Sequence, residues 1–121
     1  MNTSRRDRFL KRISTVGGGT REDIQMILGG IVFDLRDQVE RSMFTEEEME
    51  TVVRFHDRVE EFWRRTIVSN PPMEPLLIVS GLRQLSEGCV GPVVGFQPRL
   101  EQALTKAKTF ATSREYGRQQ K

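Results

Sequence analysis

The fold is decided by the stretch Phe44-Thr45-Glu46-Glu47-Glu48-Met49, near the middle of the chain. Thr45 and Glu48 have the spacing of a capping box, in which each side chain accepts a hydrogen bond from the backbone N–H of the other residue. The three consecutive glutamates lie where the helix dipole favours negative charge. The apolar residues at the two ends of the stretch are spaced to pack on each other across the cap. The stretch therefore predicts a helix that begins at Glu46.

This helix is predicted to continue to residue 69. Its apolar side chains recur every three or four residues, which places them on one face: Val52, His56, Val59 and Trp63 form a stripe, with Phe55, Phe62 and Ile67 beside it. Acid-before-base pairs four residues apart support its solvent-facing side: Glu50 with Arg54, Glu60 with Arg64, and Glu61 with Arg65. The run Asn70-Pro71-Pro72 ends the helix, because proline lacks the N–H that a helix interior needs.

A second long helix is predicted over residues 21–43, with Thr20 as its N-cap. Its apolar positions also follow one face: Ile24, Leu28, Ile31, Leu35 and Val39, broadened by Met26, Ile27 and Val32. Gly29-Gly30 interrupts this helix, and since glycine is costly in a helix interior, we expect another helix to cross closely there. The connection between the two long helices, at Met43 and Phe44, is short enough to force a chain reversal, so we expect an antiparallel helical hairpin.

Two further helices are predicted after the hairpin. One begins at Pro75 and ends near Gly88, although a strand over residues 76–80 is an alternative. Glycines and a proline then break both periodicities over residues 88–96, which predicts an ordered apolar loop. The last helix begins near Pro98 and ends at Gly117, with an apolar seam that contains small residues: Leu100, Ala103, Leu104, Ala107 and Phe110.

The amino-terminal residues predict a separate basic arm. Residues 5–16 combine apolar positions at helical spacing with basic side chains, and Gly17-Gly18-Gly19 then disfavours continued helix and acts as a hinge. We therefore expect an arm and hinge over residues 1–19, a helical domain over residues 20–117 and a frayed tail over residues 118–121. The fold class is all-α: a small helical bundle built on the long antiparallel hairpin, with the basic amino-terminal helix on its glycine hinge.

Length and composition limit the class of protein. A chain of 121 residues fits one domain. Its single cysteine, Cys89, favours a cytoplasmic or otherwise intracellular location, because small secreted domains usually carry several disulfides. The longest apolar run, residues 76–79, is far shorter than the roughly 20 residues of a membrane span, so no membrane partner is expected. Mitochondrial targeting stays open, because residues 1–16 are rich in arginine and poor in acid.

Charge is segregated along the chain. Residues 1–21 hold six basic side chains and one acidic side chain, and residues 22–74 hold six basic and thirteen acidic side chains. Residues 75–121 hold seven basic and three acidic side chains. Basic ends of this kind suit contact with nucleic-acid phosphates. The candidate nucleic-acid-binding residues are Arg5, Arg6, Arg8, Lys11, Arg12, Arg99, Lys106, Lys108 and Arg114. An alternative uses the same residues: the basic ends fold against the acidic middle of this chain or of a neighbouring subunit.

Two functions therefore stay open. The first is a small non-enzymatic helical subunit of a nucleoprotein assembly, whose basic ends contact the nucleic-acid backbone without sequence preference, while the hairpin binds protein neighbours. The second is a nucleic-acid-free helical adaptor or assembly protein, which acts through homo-oligomerisation or protein–protein binding. Phe55, Phe62 and Trp63 are the candidate protein-interface residues, because aromatic anchors concentrate at interfaces, although a place in the core is the ordinary role for such a cluster.

No pattern in the chain indicates catalysis, a cofactor or a metal. His56 is the only histidine and falls on an apolar stripe, which favours a position in the core or in a helix seam. One histidine and one cysteine, 33 positions apart, lack the spacing of a zinc site. Gly17-Gly18-Gly19-Thr20 lacks both the lysine of a phosphate-binding loop and a preceding strand. We therefore expect a protein that is not an enzyme and has no cofactor.

Overall fold

The computed structural model describes residues 20–119 of the chain, with side chains described for residues 20–112. Four α-helices occupy this part: α1 (Thr20–Glu40), α2 (Glu46–Val68), α3 (Pro75–Glu87) and α4 (Gln97–Gln119). A 3-10 helix (Gly91–Phe96) runs directly into α4, and residues 20–119 contain no strand. The prediction of an all-α fold is confirmed, and the alternative strand over residues 76–80 is wrong, because α3 covers them.

The helices share one apolar core. Helix α1 packs against both α2 and α4, α3 packs mainly against α4, and the 3-10 helix packs on α2 and α4. The predicted apolar stripe of α1 lies in this core: Ile24, Leu28, Ile31, Val32 and Leu35 are all at most 1% exposed. The predicted seam of α4 also points inward, since Leu100, Ala103, Leu104 and Ala107 are buried. Burial of these side chains supplies the main stabilising free energy of the bundle.

The contacts between α1 and α2 run in reverse order along the two helices. The side-chain amide of Gln25, near the start of α1, donates to the carbonyl of Thr66 near the end of α2 (3.0 Å). Further along α1, Arg36 donates to His56 Nε2 (3.1 Å). Between these two points, the rings of Phe33 and Trp63 meet edge to face, with centroids 6.0 Å apart. The start of α1 is therefore held against the end of α2.

The junction of α1 and α2 is closed by backbone and capping hydrogen bonds. The predicted capping box is present: Glu48 N donates to Thr45 Oγ1 (3.2 Å) and Thr45 N donates to Glu48 Oε1 (2.8 Å). Helix α1 ends at Glu40, three residues before the prediction. Ser42 adopts φ 56°, and Met43 N donates to the carbonyl of Gln38 (3.0 Å), which is the closure of a Schellman motif. The left-handed residue at position 42 ends the helix just after Val39, the last position of its apolar pattern.

The buried face of α2 is rotated from the predicted stripe. Its buried residues are Val52, Phe55, Val59, Phe62 and Thr66. His56 and Trp63 lie half-buried at the edge of this face, and Ile67 is 51% exposed. Thr66 can be buried because its hydroxyl donates to the carbonyl of Trp63 (2.6 Å), which satisfies this polar group inside the core.

The glycines inside the helices have two different roles. Gly30 is buried in α1, but a Cβ atom built on it would meet nothing within 4 Å, so the space beside Gly30 is open and the close helix crossing at Gly29-Gly30 stays a prediction. A Cβ built on Gly81 in α3 would instead lie 2.6 Å from Cζ of Phe62 and 2.9 Å from Cδ1. The close approach therefore occurs between α3 and the side chain of Phe62, at a glycine that the sequence analysis did not single out.

The segment between α3 and α4 is helical. Gly88 caps α3 as predicted, with its N–H directed at the last carbonyls of the helix. The apolar loop predicted over residues 88–96 is in fact a 3-10 helix from Gly91 onward, with Pro92 in its first turn and with Val93 and Phe96 buried. Proline is compatible with the first turn of a helix, which explains this difference. Helix α4 continues past Gly117 to Gln119, so the predicted cap at Gly117 is also wrong.

Within residues 20–119, no helix is both long enough and apolar enough to span a membrane. The predicted basic arm and the hinge Gly17-Gly18-Gly19 lie outside the described residues.

Candidate functional site

A groove of about 460 Å³ lies between α2 and α3, which touch each other over a short length only. Its walls are one face of each helix, since the lining positions recur at intervals of three and four residues. The lining residues are Arg58, Glu61, Phe62 and Arg65 of α2, Met73 of the turn, and Leu77, Ser80, Gly81, Gln84 and Leu85 of α3. The groove is therefore a product of two helix faces and the turn that joins them.

The floor of the groove is apolar, and glycine shapes it. The ring of Phe62 lies against the backbone of Gly81, where any larger residue would displace it. Met73 and Leu85 are buried on either side of this contact. Leu77 lies on the α3 wall, and this apolar side chain is 59% exposed to water. Among residues 20–112, the groove thus presents one exposed apolar side chain, Leu77, above a buried apolar floor.

The rim of the groove is charged. Arg58 and Arg65 are seven residues apart on α2, about 10 Å along the helix axis, with Glu61 between them. The guanidinium of Arg58 lies beside Gly88, at the end of α3, where the helix dipole favours a cation. Neither arginine forms an ion pair with any residue of the described part of the chain. The groove lining therefore includes two cations and one anion.

The predicted ion pairs along the helices form only in part. Arg54 Nη2 lies 2.9 Å from Glu50 Oε1, as predicted. Glu60 pairs instead with Arg36 of α1, across the helix seam. The predicted pair of Glu61 with Arg65 is not found among the described ion pairs. Arg65 therefore has no ion-pair partner among residues 20–112.

The predicted nucleic-acid-binding residues are not brought together in the described part of the chain. Arg99 forms an ion pair with Asp34 of α1 and lies over the ring of Phe96, 5.4 Å from its centroid. Lys106 Nζ lies 3.9 Å from Asp23 Oδ2, and Lys108 is exposed. Carboxylates of α1 therefore occupy two of these cations. The other candidates, Arg5, Arg6, Arg8, Lys11, Arg12 and the side chain of Arg114, lie outside the described residues, so their role stays a prediction.

The three predicted interface aromatics lie mostly inside the chain. Phe55 is 4% exposed and its ring packs against Phe96, with centroids 6.2 Å apart. Phe62 is 8% exposed and contributes to the groove floor. Trp63 is half-buried and packs on Phe33. Their role at a protein interface stays a prediction, and Phe62 is the member that reaches the groove.

His56 and Cys89 are both tied into the structure. Arg36 donates to Nε2 of His56, and Nδ1 lies 3.0 Å from Asp57 Oδ1, so both ring nitrogens have a hydrogen-bonding partner. His56 thus lies in the α1–α2 seam. Cys89 is buried, and burial, aided by the negative charge of Glu101, raises the pKa of its thiol to about 11. At neutral pH this thiol is protonated, and a protonated thiol is a weak nucleophile.

Sequence reasoning missed the groove, although one signal pointed to it. The run Leu76-Leu77-Ile78-Val79 lies in a helix, where consecutive residues are 100° apart, so four apolar residues in a row cannot all face one core. Ile78 and Val79 are buried, and Leu76 and Leu77 face outward. An apolar run in a short helix therefore indicated a second contact face.

Comparisons with family models, with curated proteins and with solved structures gave no match to this chain. The described residues also contain no group of three or more histidine, cysteine, aspartate or glutamate side chains arranged to hold a metal ion.

Proposed function

We propose that this chain is a small non-enzymatic helical adaptor or assembly protein that binds a protein segment in the groove between α2 and α3. The observation that carries the proposal is the exposed apolar side chain of Leu77 in a groove whose rim holds two arginines without ion-pair partners in residues 20–112. Apolar surface in a concave site, with arginine at its edge, is typical of protein-binding surfaces.

The other helices support this groove. In this proposal α1 and α2 act as an antiparallel hairpin, and α4 supports α3, which packs mainly against it. The reversed order of contacts between α1 and α2 supports this arrangement. An intracellular location belongs to the same proposal, because the chain has a single, buried cysteine.

A matched pair of leucines tests the adaptor proposal. Leu77 lines the groove and Leu76 does not, yet their exposed fractions are similar, 59% and 64%. The tagged chain, Leu77→Lys and Leu76→Lys are each purified from native host cells, and the chains that co-purify are identified. We expect a partner that binds the wild type and Leu76→Lys but is lost with Leu77→Lys. Equal binding to all three forms would exclude the groove as the binding surface.

The second candidate function is a subunit of a nucleoprotein assembly, and the charge of the amino-terminal segment favours it. Residues 1–21 hold six basic side chains against one acidic, and fifteen of the nineteen basic residues of the chain are arginine, which suits phosphate contacts. The ion pairs of Arg99 and Lys106 with α1 weaken the contribution of α4 to this function.

The nucleoprotein candidate has its own test. Replacement of Arg5, Arg6, Arg8 and Arg12 by alanine should weaken binding to RNA or DNA and flatten the dependence of log affinity on log salt concentration. Fluorescence anisotropy over a range of salt concentrations measures both quantities, and Arg64→Ala with Arg83→Ala controls for the loss of exposed arginine. Unchanged affinity and slope would remove this function.

A further inference from the structure

The groove and the turn between α1 and α2 carry complementary surfaces on one chain. We propose that the groove binds the acidic turn of a second copy of this chain, formed by Met43, Glu46 and Glu47, so that copies associate head to tail. This inference rests on the proposed function, because it names the occupant of the same groove.

The acidic turn presents an apolar side chain next to unpaired carboxylates. Met43 is 60% exposed, and Glu46 and Glu47 are exposed and make no ion pair with the residues whose side chains are described. The neighbouring Glu48 is occupied by the capping box. A methionine side chain is flexible and polarisable, so it can fill an irregular apolar groove. The turn therefore offers one apolar group and two negative charges to a partner.

The groove offers the opposite pattern. Leu77 is its exposed apolar side chain, the ring of Phe62 lies buried in its floor, and Arg58 and Arg65 line its α2 side. Glu61 also lies on this rim, so the rim carries two positive charges and one negative. Complementary charges of this kind steer association and fix its orientation. An apolar side chain with two adjacent carboxylates matches this groove in both polarity and charge.

The ends of the same chain have the wrong charge for this groove. Residues 1–19 hold five basic side chains and one acidic, and residues 113–121 hold three and one. Either segment would bring positive charge to a rim that is already positive, and like charges placed together disfavour binding. The acidic turn, with Glu46 and Glu47 exposed beside Met43, has the required charge.

The turn and the groove of one molecule cannot meet each other. Helix α2 has 23 residues, about 35 Å, and it carries the acidic turn at its start and the groove along its second half. The helix holds the two surfaces apart, so the turn must enter the groove of another copy. Such a contact joins two different surfaces, and repeated contacts of this type give either rings or open chains.

The experiment measures self-association of the full chain by light scattering up to about 1 mM, the range in which weak contacts are populated. We expect the average mass to rise with concentration above the 14.0 kDa of one chain. In the groove variant, Arg58→Glu with Arg65→Glu, the association constant should fall at least about tenfold, because like charges then face each other. Arg64→Glu with Arg83→Glu makes the same charge change outside the groove and should leave association unchanged.

A charge swap provides the decisive comparison. The turn variant, Glu46→Arg with Glu47→Arg, should also associate at least about tenfold more weakly. An equimolar mixture of the groove variant and the turn variant should associate again, because every turn then finds a groove of opposite charge. Since basic residues in the first turn of α2 oppose the helix dipole, Glu46→Gln with Glu47→Gln provides a milder variant, and circular dichroism verifies that each variant is folded.

Three outcomes would overturn the inference. A chain that stays monomeric at every concentration has no such contact, and association that the groove variant leaves unchanged uses another surface. A mixture of folded variants that fails to associate excludes the pairing of turn and groove. If the chain is monomeric but loses a host partner with Leu77→Lys, the groove binds another protein, so the adaptor function stands and the second copy is excluded as its occupant.

Discussion

The contact between Gly81 and Phe62 predicts that two similar glycine substitutions have opposite effects on stability. Both Gly30 and Gly81 lie inside α-helices, where alanine is favoured over glycine by about 1 kcal/mol. A Cβ on Gly30 meets nothing within 4 Å, so Gly30→Ala should raise the free energy of unfolding by about 1 kcal/mol.

Gly81→Ala should instead lower the free energy of unfolding. Its new methyl group would lie 2.6 Å and 2.9 Å from two ring carbons of Phe62, far inside van der Waals contact, so the ring must move out of its packed position. Overpacking of this kind costs about 1 to 3 kcal/mol, which exceeds the gain in helix propensity by about 1 kcal/mol. The two variants should therefore differ in stability by about 2 kcal/mol.

Urea unfolding followed by circular dichroism measures this difference. With a slope of about 1 to 3 kcal/mol per molar urea, 2 kcal/mol separates the two midpoints by about 1 M. Phe62→Leu is the control background, because the shorter side chain removes the clash and Gly81→Ala should then no longer destabilise the protein. A midpoint that rises as much with Gly81→Ala as with Gly30→Ala would refute the packing of Phe62 on Gly81.

Three further predictions concern the caps and the buried thiol. Ser42→Gly should raise the free energy of unfolding by about 0.5 kcal/mol, because glycine adopts the left-handed conformation at φ 56° without strain; an unchanged urea midpoint would argue against this backbone conformation. Thr45→Ala should lower it by about 1 kcal/mol through loss of the capping bond, and Thr45→Ser should restore most of the loss in the same assay. Burial raises the pKa of Cys89 from 9.0 to about 11, so the unfolded chain releases the thiol proton at a lower pH than the folded chain. The free energy of unfolding should therefore fall as the pH rises from 9.0 to about 11, and it should fall less in Cys89→Ala.

The helical fold was predictable because its signals are local. The capping box at Thr45, the proline at the start of α3 and the glycine at its end each depend on neighbouring residues, and all three appear as predicted. Boundaries were less predictable. The end of α1 depends on a left-handed residue at Ser42, and serine carries no strong preference for that conformation.

The face that a helix buries was harder to predict, because it depends on the neighbouring helices. The apolar residues of α2 cover a wide arc, and periodicity alone placed His56 and Trp63 in the stripe. In the structure, the buried face of α2 is centred on Phe55 and Phe62. Thr66 also lies on this face, because its hydroxyl donates a hydrogen bond to the carbonyl of Trp63. The groove escaped prediction for the same reason: it exists only where two separate helix faces diverge.

The charge distribution could be read from the sequence, but the ion pairs that the charged residues form in the fold could not be predicted from it. The basic residues of α4 were candidates for contact with phosphates, and the structure places Arg99 and Lys106 against Asp34 and Asp23 of α1. Such pairs join positions 65 and 83 residues apart in the chain, so local reasoning could not find them.

Because α2 is long, it separates two different surfaces, so the two ends of the molecule are not equivalent. The acidic turn lies at one end of this helix and the groove lies along its other half. A row of copies joined through these surfaces would be polar, with a vacant groove at one terminus and an unbound turn at the other. A chain that lacks a functional groove could still attach at the first terminus and would stop growth there, so a minority of such chains would shorten the row.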